Sequence, residues 1–152
     1  MSQPELALAL RSLAHEEFEA GRASLLAIVA AEPDNADAWA YLSGVHLAFA
    51  DAVAAQDASE RALAADPDGF APRLKAGELA LRLGDLDTAE RWFLAALRAV
   101  EPGTPGALAA KRALVITRTK SRASIRHGAS LPRMRSPLGW WHRRRAHVEV
   151  AR

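Results

Sequence analysis

The chain has 152 residues, half of them apolar, nine aromatic and none cysteine, which suits one modest domain and excludes disulfides and thiolate zinc centres. Alanine, at 35 residues, supplies the apolar bulk. This favours close-packed helices over a sandwich or barrel built on branched and aromatic side chains. The net charge of +2 hides a division: residues 1–110 carry eight basic and 17 acidic side chains, residues 111–152 carry twelve basic and one acidic, Glu149, an asymmetry that points to an interaction tail.

The first nineteen residues have no basic n-region, and their apolar stretch runs straight into acidic side chains. No secretory signal is expected, and the expected location is the cytoplasm. No window approaches the ~18 apolar residues of a membrane span. Helices are predicted over residues 4–15 and 19–31. Turn chemistry follows at Glu32-Pro33-Asp34, and Asp34 or Asn35 is placed to cap a helix from about Ala36. On it Trp39, Leu42, Val45, His46 and Phe49 recur at three- and four-residue steps, one helical face. A break over 50–52 leads to a helix over 53–65. Next comes 70–83, with Pro72 in its opening turn and Gly84-Asp85 ending it, since glycine tolerates positive φ. A helix over 86–100 completes this block. A last helix opens at Thr104-Pro105-Gly106 and runs to about Lys120, with Leu108, Leu114 and Val115 as apolar bulk and Lys111, Arg112 and Arg118 as charge.

These elements repeat. Glu32-Pro33-Asp34 recurs 34 residues on as Asp66-Pro67-Asp68, and Glu101-Pro102-Gly103 follows after 35. The same shift aligns Leu8, Leu42 and Ala76. It also aligns the small residues Ala9, Ser43 and Gly77, and again Gly21, Ala55 and Ala89. Small residues in phase belong where two helices of a pair cross closely.

The pattern resembles the tetratricopeptide repeat family. The residues that carry the resemblance are Trp39, Leu42, Ser43, Ala55, Ala62 and Pro67 in the middle block. In the third they are Gly77, Leu83-Gly84-Asp85-Leu86, Ala89, Trp92-Phe93, Ala96 and Pro102. The first block lacks the early Trp and has Gly21 where Ala is usual, as terminal repeats often do. The resemblance implies an all-α, right-handed superhelical array of antiparallel helix pairs. Its parts are three repeats (2–35, 36–69 and 70–103), a capping helix (104–120) and a non-globular basic tail (121–152).

The resemblance also implies an inner groove lined by the first helix of each pair, where residues 34 apart stack. Its rows include Leu6, Ala40 and Leu74; Ala7, Tyr41 and Lys75; Leu10, Gly44 and Glu78; Leu13, Leu47 and Leu81; and Ala14, Ala48 and Arg82. Leu6, Leu10, Leu13, Leu47, Leu74, Glu78, Leu81 and Arg82 are the candidate partner contacts. Some family members hold the C-terminal carboxylate of heat-shock chaperones with Lys, Arg and Asn in these rows. Here the rows carry mainly Leu, Ala and Gly, with Lys75 and Arg82 the only basic members. An apolar groove suits an amphipathic helix or an extended apolar peptide. The alternative is that the leucines pack on one another or against the chain's own tail.

Catalytic constellations are missing: no G-x-S-x-G, no Gly-rich phosphate loop, no H-E-x-x-H. The five histidines do not pair at metal-ligand spacing, so no metal, cofactor or small-molecule substrate is expected, and the chain reads as a non-enzyme. The tail contains Trp140-Trp141 followed by Arg143-Arg144-Arg145. Paired exposed Trp is costly in water, so the tail is expected to dock. Its candidate targets are a protein surface, including the chain's own acidic array, RNA, or an anionic membrane surface. The reading is a protein-interaction adaptor acting through groove or tail. The alternative is peripheral attachment to RNA or an anionic membrane through Trp140, Trp141, Arg143, Arg144 and Arg145.

Overall fold

The computed structural model describes residues 3–126. Within them lie seven helices: α1 (Gln3–Ala14), α2 (Phe18–Ala31), α3 (Ala36–Ala48), α4 (Ala52–Ala65), α5 (Phe70–Arg82), α6 (Leu86–Arg98) and α7 (Pro105–Arg126). The first six form three pairs, α1 with α2, α3 with α4, and α5 with α6. Successive pairs meet chiefly through α3 on α5 and α2 on α3. This is an all-helical solenoid of helix pairs. The repeat unit extends to Arg118, inside α7, and a second unit starts at Thr119.

The predicted ends agree with the structure to within a few residues except at α7. That helix continues through Arg126 instead of stopping near Lys120, so the first residues assigned to the tail are helical. The reason is local: residues 121–126 contain neither Gly nor Pro, and the first breaker is Gly128.

The turns inside the pairs repeat in detail. Glu16, Ala50 and Gly84, spaced by 34, all take positive φ, at 62°, 59° and 80°. The residue after each occupies the N-cap position of the next helix. The Asp51 carboxylate accepts from the Ala54 N–H at 3.0 Å and Asp85 from the Thr88 N–H at 3.1 Å, while Glu17 makes no side-chain cap bond. Asn35 caps α3 through the Ala38 N–H at 3.0 Å.

Between pairs, Trp39 donates its indole N–H to the Pro33 carbonyl at 2.7 Å, and Arg73, 34 residues later, donates its Nε–H to the Pro67 carbonyl at 3.0 Å. Arg73 also donates to the Ala95 carbonyl at 3.2 Å and pairs with Asp68. One cation thus ties the third repeat's entry to α6.

The core gathers along the pair crossings. Leu6, Ala9, Leu25, Ile28, Val29, Ala38, Leu42 and Val45 form one buried cluster. Small residues stand where predicted. A Cβ on Gly77 would lie 2.6 Å from the Phe93 ring, and one on Gly21 would lie 2.7 Å from Leu13 Cγ. Ser43 instead donates its buried hydroxyl to the Ala55 carbonyl of the paired helix at 2.8 Å.

Candidate functional site

The stacking of α1, α3 and α5 leaves a groove of about 420 Å³ on their shared side. Leu13, Leu47 and Leu81 contribute one row, Gly44 and Glu78 another, and Ala48 and Arg82 a third. Tyr41, Val45 and Lys75 complete α3 and α5's share, and Phe18 enters from the start of α2. The volume lies within the usual range for binding clefts, and a mostly apolar lining with a few polar groups fits the same pattern.

The polar groups sit on the side of Tyr41. The Lys75 ammonium pairs with Glu78 at 2.8 Å and stands 5.6 Å over the Tyr41 ring. Its stem passes Gly44, where a Cβ would make ordinary contact with Cδ at 3.7 Å. Burial, then the charges of Asp37 and Glu78, push the Tyr41 phenol above its ordinary range, so it stays protonated and able to donate. Asp37 behaves similarly: burial first and Asp66 second raise its carboxyl. Arg82 is exposed and makes no ion pair among the described residues. The groove therefore offers an apolar floor, one internally neutralised Lys–Glu pair and one uncommitted guanidinium.

Of the predicted contacts, Leu13, Leu47, Glu78, Leu81 and Arg82 line this groove together. Leu6 and Leu74 do not: they are 5% and 9% exposed and belong to the packed side of their helices. Leu10 is half-buried against the Leu6–Leu25 cluster. The correction has a simple cause. Rows 6/40/74 and 7/41/75 are adjacent in sequence and so about 100° apart around the helix, and the groove takes only the second, through Tyr41 and Lys75. A 34-residue spacing shows which residues stack but not how each helix is rotated against its partner. Phe18 was missed because it opens a second helix, outside the rows considered. Trp140, Trp141, Arg143, Arg144 and Arg145 lie outside the described residues.

Among the described residues no three His, Cys, Asp or Glu side chains gather as a metal site would require. No described helix is long and apolar enough to cross a membrane.

No family model and no curated protein matches the sequence. Solved structures do. The tetratricopeptide-repeat domain of P58(IPK) is 29% identical over 79% of this chain, with a TM-score of 0.60, and this chain spans 33% of that one. The corresponding domain of Sgt2 from Aspergillus fumigatus is 20% identical over 86% of this chain and 85% of its own, with a TM-score of 0.68. PcrH, a Pseudomonas aeruginosa protein, was solved with the chaperone-binding region of PopD. It is 19% identical over 78% of this chain and 92% of its own, with a TM-score of 0.62. The fold is that of a tetratricopeptide-repeat array.

Proposed function

We propose that this chain is a non-catalytic adaptor that seats a segment of a partner protein in the groove between α1, α3 and α5. The observation that carries the reading is the groove itself. Its floor of Leu13, Leu47 and Leu81 is half-buried and gathered on one concave side, whereas Leu25, Leu42 and Leu79 are buried in the core. Solenoids of helix pairs use such concave surfaces for binding, and one of the similar structures is itself a complex with a region of another protein. The lining suits a short amphipathic helix or extended segment that places apolar side chains on the leucines. The Lys75–Glu78 pair is already satisfied, so it confers little attraction for a free carboxylate.

A photo-crosslinking residue at Ala48, exposed beside Leu47, identifies the segment in the native cell. Leu47→Glu and Leu81→Glu are then expected to weaken that segment's binding by roughly tenfold or more, as loss of a buried apolar anchor does. Circular dichroism should show the helix content retained. Undiminished affinity in both variants would refute the groove, and loss of binding only on removing residues 127–152 would assign it to the tail.

A further inference from the structure

The outward face of α7 combines aliphatic and cationic side chains in a way that capping an array does not require. The helix seals the last pair through Ala107, Ala110, Leu114 and Thr117, all buried. The Phe70 ring lies against Gly106, and Arg118 pairs with Glu90 at 2.8 Å. These contacts fix which side faces inward. At 3.6 residues per turn, Arg112 falls directly opposite this side, with Ile116 on one flank and Leu108 and Val115 on the other, and Lys111 lies beyond Val115 at the edge of the exposed side. Leu108 is 48% exposed, Val115 63% and Ile116 50%. Polar side chains are the ordinary choice for an end face in water. Lys111 and Arg112 form no ion pair among the described residues, and residues 105–126 contain no acidic side chain at all.

We infer that this face of α7, through Leu108, Lys111, Arg112, Val115 and Ile116, docks on an anionic lipid surface. Exposed aliphatics seek an apolar layer and the cations beside them seek an anionic one. The boundary between acyl chains and anionic headgroups supplies both within the reach of one helix. Long Lys and Arg stems bridge that depth, keeping the charge among the headgroups while the methylenes follow the aliphatics inward. Nucleic acid would supply the negative charge but has little use for Leu, Val and Ile, and α7 offers no aromatic ring for a base to stack on. Three aliphatics on one turn-spanning face are modest, so attachment is expected to need the charge and to be reversible. The site is separate from the groove between α1, α3 and α5, and its failure would leave the groove reading untouched.

The test is co-sedimentation of the full chain with phosphatidylcholine vesicles with and without phosphatidylserine. Binding is expected to the anionic vesicles only, and to fall as salt rises. The double variant Lys111→Gln/Arg112→Gln should bind roughly thirtyfold more weakly, from the approximate contribution of each cation near an anionic surface. Val115→Ser/Ile116→Ser should weaken binding roughly several-fold, whereas Leu47→Glu should leave it unchanged. All four α7 positions are exposed, so thermal melts should match the parent chain. Parent-like vesicle binding by both double variants overturns the proposal, since the attachment would then reside elsewhere in the chain. So do equal binding to neutral vesicles, no binding, and binding confined to single-stranded RNA or to an acidic protein.

Discussion

At position 77 the repeat leaves no room for even one methyl group. A Cβ there would stand 2.6 and 2.7 Å from two carbons of the fully buried Phe93 ring. Gly77→Ala is therefore expected to cost about 1–3 kcal/mol, the usual range for overpacking a close-packed interior, read as a lower denaturation midpoint at unchanged slope. The small size of this position was legible in the sequence, because Ala9, Ser43 and Gly77 fall in phase. What each small residue meets was not: one takes a ring, another donates a hydroxyl proton to a carbonyl. Arg73 was less legible still. It does the work of Trp39 at the preceding repeat's proline carbonyl, but a lone arginine in sequence reads as solvated charge. Asp37 yields a sign that can be checked. It stands in the first turn of α3, where the helix dipole favours its charge. Even so, burial and Asp66 raise its carboxyl above the ordinary 3.8. The charged form is thus disfavoured in the fold relative to the unfolded chain. The penalty is fully present at neutral pH and disappears as pH falls through the raised folded value toward 3.8. Asp37→Asn should accordingly melt at a higher temperature than the parent at pH 7, with the difference shrinking in acid.

The helices and their turns form one repeated device, executed with varying skill. The turn residue at 16, 50 and 84 must adopt positive φ, and only the third repeat uses glycine for it. An L-residue there carries a steric cost of roughly 1 kcal/mol, partly offset by the greater freedom glycine loses on folding. Ala50→Gly is expected to raise stability by up to about 1 kcal/mol, and Gly84→Ala to lower it by a similar amount. Paired urea melts of the two variants check both signs, and a loss in each would show that the turn is not the constraint it resembles. The sequence pointed to this turn only through Gly84-Asp85. The break over 50–52 was visible as a gap in periodicity, but alanine gives no hint of an unusual backbone angle. Caps follow the same rule. Asn35 was recognisable by type, Asp51 and Asp85 emerge as caps from the structure, and Glu17, one methylene longer, holds the position without making the bond.

Across the whole molecule, the period of 34 carried the architecture because every pair buries its face only against a neighbour. Phase in the sequence is then stacking in space. Charge division was equally plain, with acidic residues in the paired helices and none from α7's start to Val148. What the period left open was rotation, which decided that Tyr41 and Lys75 face the groove while Leu6 and Leu74 do not. A chain built this way should also lose structure locally. Stability in a solenoid is a sum of terms for each repeat and for each interface with its neighbour. Leu114 seals the last interface from α7 and is buried. Leu114→Ala should cost about 2–3 kcal/mol, at the lower end for a buried leucine because a helix on the array's end has room to relax. That loss should appear as faster amide exchange in α7, α6 and α5, where the seal is made. Protection in α1 and α2 should fall least, because they touch only α3 and are two interfaces away. Uniform loss of protection from α1 to α7 would mean instead that three repeats and a cap are too few to open separately, and that the array folds as a single cooperative unit.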